Sequence, residues 1–193
     1  MPIPRVLILG EGPTEFYYVD SLRDLFRGIQ YSPSQPKHSS IDFFRKKIEE
    51  GLYKGYRTII CLIDMDNKDN KGEACKYAEI RKKYKDDKRV IFLESERCTE
   101  LFFLYYFCYT TRIFDNQPSL LKELSNRCPY EKTVDFFKKH PLHGYFESNG
   151  GSLSDAIDRA KCSCSTATER DSRTYTELHR LFSLLNTRCP DCR

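Results

Sequence analysis

With 193 residues, 39% hydrophobic and 13% aromatic, the chain can bury one sizeable α/β core, and its 31% charged residues argue for a well-solvated surface. A formal net charge of +4 permits an anionic partner such as nucleic acid, yet falls short of what a strongly basic binding module carries. No long uncharged apolar stretch and no secretory-type leader is present, so no membrane partner is expected and the cytoplasm is the expected compartment.

In chain order, residues 5–10 read as a strand that Gly10-Glu11-Gly12-Pro13 turns into a helix from Thr14, with Phe16, Val19, Leu22 and Phe26 at helical spacing and Gly28 as its stop. Residues 29–40 are mostly loop, with a short strand near Ile29-Gln30-Tyr31. Ser39 or Ser40 can cap a second helix whose apolar face is Ile41, Phe44, Ile48 and Leu52, ending near Gly55. A strand over 57–63 follows, then a polar loop over 67–72. Next come a helix with Ala74, Tyr77 and Ile80 on one side, a solvated run over 81–88 and a strand over 90–93. Residues 98–109 are apolar nearly all round and predict a buried helix. Beyond it no strand is expected, and helices are predicted over 118–126, 130–140, 153–161 and 175–186. Strand alternating with helix implies parallel pairing with right-handed crossovers. The expectation is an α/β core over 1–110, a parallel sheet flanked by helices, with a helical C-terminal region over 111–193 packed on it.

Acids end the apolar runs. Glu11 and Glu15 follow Val6-Leu7-Ile8-Leu9, Asp64 and Asp66 follow Ile59-Ile60-Cys61-Leu62-Ile63, and Glu94 and Glu96 follow Val90-Ile91-Phe92-Leu93. In parallel sheets ligands bind outside the carboxyl ends of strands, and gathered carboxylates need protons, basic side chains or a divalent cation to offset their charge. A magnesium site built on Glu11, Asp64 and Asp66 is the leading expectation. In continuing extended geometry Asp64 and Asp66 point the same way, although Asp-x-Asp alone also suits an Asx turn. The glycines flanking Glu11 let a ligand or phosphate approach the backbone closely. Glu15, one helical turn on, either joins the metal cluster or serves as a first-turn acid. Glu100, opening a very apolar helix, must find a partner if buried, as a ligand, a supporting carboxylate or a helix-start acid. Lys132 and Arg159 are candidates to contact phosphate or to stabilise a developing oxyanion, against the plain alternative of solvated cations.

The chain has nine cysteines, and Cys61, Cys75, Cys98 and Cys108 fall in apparent core elements, where free thiols act as small hydrophobes. A structural zinc would have to combine Cys162 and Cys164 with Cys189 and Cys192, but the first pair has only one intervening residue, and reduced packing residues are the expectation.

The blocks Ile8-Leu9-Gly10-Glu11-Gly12-Pro13-Thr14-Glu15 with Tyr17 and Tyr18, Leu62-Ile63-Asp64-Met65-Asp66, and Cys98-Thr99-Glu100-Leu101-Phe102-Phe103-Leu104 together resemble the RloB-like branch of the Toprim superfamily. Tyr130-Glu131-Lys132, Ala156-Ile157-Asp158-Arg159-Ala160 and Tyr175-Thr176-Glu177-Leu178 look like its helical C-terminal half. The resemblance implies a Toprim-like Rossmannoid core in which Glu11, Asp64 and Asp66 are catalytic and carry Mg²⁺- or Mn²⁺-dependent phosphodiester hydrolysis, with Glu15 and Glu100 as further metal-binding or orienting acids. It also implies an effector of bacterial anti-phage defence that acts on DNA or RNA, tRNA included, often beside an ATPase of the ABC or overcoming-lysogenisation-defect type. The resembled block usually reads Asn-Pro-Cys-Phe-Glu, whereas Glu96-Arg97-Cys98-Thr99-Glu100 lacks the proline and the aromatic. Two rival readings are a non-catalytic effector that binds an ATPase or nucleic acid, and phosphoryl transfer through an aspartyl phosphate at Asp64.

Overall fold

A computed structural model describes residues 6–26, 30–31, 40–66, 71–170 and 174–188. Strands β1 (Val6–Leu9), β2 (Gln30–Tyr31), β3 (Thr58–Asp64) and β4 (Val90–Ser95) form one parallel sheet in the order β2-β1-β3-β4. The register sets Leu9 opposite Cys61 and Asp64 opposite Ser95. All of β1 and β3 is buried, as uninterrupted Val/Ile/Leu runs require when both faces of a sheet are covered.

Strand alternation sorts these side chains into two cores. Leu7, Leu9, Ile59, Cys61, Ile63 and Phe92 meet Ile41, Phe44 and Ile48 of helix α2 (Ile41–Tyr53) and Tyr77 and Ile80 of helix α3 (Lys71–Lys83). Ser40 caps α2 as expected, its hydroxyl accepting the Phe43 N–H at 3.4 Å. Gly51 lets α2 lie close to the sheet, since a Cβ there would come within 2.8 Å of Leu7 and 2.9 Å of Ile59.

On the other face Val6, Ile8, Ile60, Leu62 and Leu93 meet helix α1 (Pro13–Ser21) and the helices that follow β4. These are α4 (Glu100–Tyr105), α5 (Gln117–Ser125), α6 (Val134–Lys139), α7 (Leu142–Ser148), α8 (Leu153–Arg170) and α9 (His179–Arg188). Every residue of α4 is buried, and α4 packs against α5 and α8 while α1 packs against α6 and α7. One apolar cluster runs from Val6 to Leu185, so the sheet and the later helices share a core.

Several expectations need correction. The helix predicted over 98–109 spans only Glu100–Tyr105, and beyond it the Arg159 guanidinium binds the carbonyls of Tyr105 and Tyr106 at 2.8 and 3.1 Å, as a cation does at a helix C-terminus. Helix α7 was not foreseen, and α8 runs well beyond residue 161. The segment predicted helical from 175 is extended at first. Thr176 bridges Ser95 in antiparallel fashion, the Glu96 N–H donates to the Tyr175 carbonyl at 2.9 Å, and the Glu177 N–H donates to the Glu94 carbonyl at 2.8 Å. An edge strand leaves unpaired backbone groups, and this segment satisfies those at the end of β4. Cys75 is exposed rather than in the core, and Cys108 is only half-buried. Among the described residues no helix is long and apolar enough to cross a membrane.

Candidate functional site at the strand ends

From β1 the chain moves to β2 on one side, then crosses to β3 on the other, so the strand order reverses between β1 and β3. In open α/β sheets the crevice at the carboxyl ends of such a pair is the binding position. Glu11 and Asp64 meet there, with Glu11 Oε1 accepting the Asp64 N–H at 3.1 Å although 53 positions separate them. The ladder continues one bond past β3, from the Met65 N–H to the Ser95 carbonyl, before the chain turns and the Asp66 N–H binds the Arg97 carbonyl at 3.1 Å. Extended geometry therefore stops between the two aspartates, and Asp66 stands half-buried on the turn rather than in strand register with Asp64. Arg97 adopts φ +65°, which a proline ring forbids, so this turn differs in kind from the resembled block with proline at that position.

Asp64 is 8% exposed, and its Oδ1 accepts two bonds from Thr99, from the amide at 2.8 Å and from the hydroxyl at 3.0 Å. Its carboxyl is held well above the usual range by burial, then by the charges of Glu15, Glu100 and Glu11, while Lys132 pulls the other way. Glu15 is 3% exposed and pushed up to about 7, first by burial and then by Glu100. Its Oε2 accepts the Gly12 N–H at 2.7 Å, half of a capping box at the start of α1. A Cβ on Gly10 would sit 2.5 Å from the Glu15 Cβ. The group that needs the bare backbone at Gly10 is thus the stem of Glu15, not the ligand or phosphate expected from the sequence.

Glu100 is fully buried. Its Oε1 accepts the Lys132 ammonium at 2.8 Å and the hydroxyls of Tyr130 and Thr14 at 3.3 Å each, while its Oε2 meets no donor among the described residues. Burial alone would lower the Lys132 ammonium, but the charge and hydrogen bond of Glu100 raise it above its ordinary value. Burial, followed by the charges of Glu100 and Asp64, also drives the neighbouring Cys98 thiol up.

The structure thus brings Glu11, Glu15, Asp64 and Glu100 into one electrostatic unit with Lys132, and places Asp66 on the adjoining turn. Arg159 is elsewhere, spent on the end of α4 and on Asp155 at 2.9 Å. Thr14, Thr99 and Tyr130, which hold these acids, were not singled out by sequence reasoning. The one signal for Thr99 was a polar residue where the resembled block has an aromatic. Of the zinc candidates, Cys162 is exposed and Cys164 donates its thiol to the Thr176 carbonyl at 3.3 Å, whereas Cys189 and Cys192 lie outside the described residues.

The donor chemistry fits a hard divalent cation, since carboxylate oxygens suit Mg²⁺ and Mn²⁺ and the mutual repulsion of these acids would be relieved by one. The orphaned Oε2 of Glu100 is a buried acceptor of the kind such an ion satisfies. In the conformation described, the oxygens face protein donors, and among the described residues no three acid, thiol or imidazole side chains converge closely enough to hold a metal. A family profile described as RloB-like protein matches residues 6–185. No curated protein matches the chain.

Proposed function

Since the chain belongs to the RloB-like family, we propose that it is a Mg²⁺-dependent nuclease with a Toprim-type core, hydrolysing phosphodiester bonds of DNA or RNA as the effector of an anti-phage defence system. The observation that carries this reading is the gathering of Glu11, Glu15, Asp64 and Glu100 at the crevice between β1 and β3, where burial and mutual repulsion hold Asp64 far above its ordinary proton affinity. Folding alone gains nothing from such repulsion. A site that is to attract a cation does.

Glu11, Asp64 and Asp66 would hold Mg²⁺ or Mn²⁺, with Glu15 and Glu100 binding or orienting it. When bound, the ion supplies polarisation of the scissile phosphate and a lowered pKa for the attacking water. Thr99 fixes the orientation of Asp64 through two donors to one oxygen. Glu11, whose Oε1 accepts the Asp64 amide, would act as general acid/base or help to hold the ion. Lys132, with a third of its side chain exposed, offsets the acids and can meet a phosphate oxygen. An ATPase partner would supply much of the nucleic-acid grip, consistent with a net charge of only +4.

The test is cleavage of DNA, RNA and tRNA with Mg²⁺ or Mn²⁺, together with cation titration by calorimetry. Glu11→Gln and Asp64→Asn should each lower cleavage at least a hundredfold, and equal activity in both variants rejects the assignment. One observation favours the second reading, a non-catalytic effector: the acids are already engaged by donors inside the protein. Retained partner or nucleic-acid binding with no cation affinity would select it.

A further inference from the structure

At the outer edge of β4, away from the carboxylate crevice, lies a half-open cavity of about 290 Å³ whose lining includes Arg81, Lys85, Arg180, Glu177 and Phe92. Val90, which also lines it, pairs with Ile59 near the start of β3, whereas Asp64 pairs with Ser95. Along the strands the β4 residues that line the cavity, Val90 to Phe92, therefore lie about 10–16 Å from the level of Asp64, at ~3.3 Å per residue.

Two guanidinium groups reach this cavity from different elements, and both are fixed. Arg81, at the end of α3, binds Glu94 at 2.9 Å and lies over the rings of Phe92 and Tyr77 at 5.7 and 6.0 Å. Glu94 is itself held by the hydroxyls of Tyr77 at 2.6 Å and Tyr175 at 3.2 Å. Arg180 binds Glu177 at 2.5 Å, and the other oxygen of Glu177 accepts the Glu94 N–H at 3.1 Å. Each ion pair engages part of a five-donor fork and leaves donors for a second oxyanion. Lys85, also exposed, completes a lining of three basic residues and one acid, Glu177, while Glu94 pairs with Arg81.

Helix dipoles account for Arg81 but not for Arg180. A cation is favoured in the last turn of α3, while Arg180 stands in the first turn of α9, where the dipole already supplies positive potential and disfavours a cation. Arg180 is held there by the carboxylate of Glu177, three residues earlier, and an anion bound in the cavity would add to that compensation. Two forks that line one cavity from two helices suit a tetrahedral oxyanion, which offers acceptors to both.

We propose that this cavity is a phosphate-binding site, taking the phosphate group of a nucleic-acid strand or of a free nucleotide. It stands independently of the metal site and of the nuclease reading.

The full chain is titrated at low salt with inorganic phosphate, AMP, a labelled single-stranded oligonucleotide and polyglutamate, by calorimetry or fluorescence anisotropy. Phosphate and AMP should bind, and Arg180→Gln and Lys85→Gln should each weaken AMP at least tenfold while Glu11→Gln leaves it unchanged. A parallel tenfold loss for the oligonucleotide, with AMP competing against it, assigns the site to the nucleic-acid backbone. An oligonucleotide affinity unmoved by the variants assigns it to a free nucleotide. The proposal is overturned if no phosphate-bearing probe binds, if both variants bind like the parent, or if polyglutamate binds as tightly as AMP. Both substituted side chains are exposed, and equal urea midpoints confirm folding. Loss of cleavage in Glu11→Gln with AMP binding intact separates this site from the carboxylate crevice.

Discussion

Removing the Lys132 ammonium tests whether the acids at the crevice form one coupled unit. In Lys132→Met the fully buried Glu100 keeps, among the described residues, the hydroxyls of Tyr130 and Thr14 as its donors, both at 3.3 Å. Breaking a buried ion pair from one side costs about 3–5 kcal/mol. Because 32% of the Lys132 side chain is exposed and water can partly replace it, the expected loss is about 2–3 kcal/mol. With a urea m-value of about 2 kcal/mol/M, the unfolding midpoint should fall by roughly 1–1.5 M. Glu100→Gln removes the stranded charge, so the double variant Glu100→Gln/Lys132→Met should be less unstable than the sum of the two singles by about 1–2 kcal/mol. The measurement is equilibrium urea unfolding in chelator-containing buffer at pH 7. A loss under about 0.5 kcal/mol in Lys132→Met, or an additive cycle, would refute the reasoning, because either result means that Glu100 does not depend on Lys132.

Glu15 binds its proton more tightly in the folded chain, at about 7 against an ordinary 4.5, so its contribution turns unfavourable as pH rises through that window. Glu15→Gln should flatten the stability profile between pH 4.5 and 7 and stabilise the metal-free protein at pH 8 by up to about 3 kcal/mol, from 1.36 kcal/mol per unit. Parallel pH profiles for the parent and the variant would exclude this cause. Gly51→Ala places a Cβ within 2.8 Å of Leu7 and 2.9 Å of Ile59, and overpacking of about 1–3 kcal/mol exceeds the helix-propensity gain of about 1 kcal/mol. Its thermal midpoint should drop by about 2–6 °C, and a rise would show that α2 does not press on the sheet as described. Arg159→Ala strips the carbonyls of Tyr105 and Tyr106 of their donor and should cost about 1–3 kcal/mol while changing cleavage less than twofold. A large loss of cleavage at unchanged stability would return Arg159 to the phosphate-contacting role considered from sequence.

Much of the core was legible because its elements obey local rules. The uninterrupted apolar runs Val6-Leu7-Ile8-Leu9 and Ile59-Ile60-Cys61-Leu62-Ile63, the Ser40 cap and the apolar spacing of Ile41, Phe44 and Ile48 each report a strand or helix without reference to anything distant. The position of Glu11 after β1 and of Asp64 at the end of β3 was legible for the same reason. The extended segment around Thr176 was not, since Tyr175-Thr176-Glu177-Leu178 can join the helix that follows and is drawn out only by the open edge of β4, 81 positions earlier. Gly10 misled in a similar way: a bare backbone next to an acid suggests room for a ligand, and only the packed chain reveals that the room is filled by Glu15.

From its order of residues alone, this chain determined a parallel α/β core and delivered acids to the carboxyl ends of its strands, because strand and helix periodicity and chain direction are properties of neighbouring residues. Tertiary packing decided the partners: Thr99 for Asp64, Lys132 and Tyr130 for Glu100, Arg159 for the end of α4 rather than for phosphate. These pairings span 30 to 54 positions. Over such distances no local rule selects a partner, and the choice falls to whichever polar group the close-packed core leaves within reach of a buried charge.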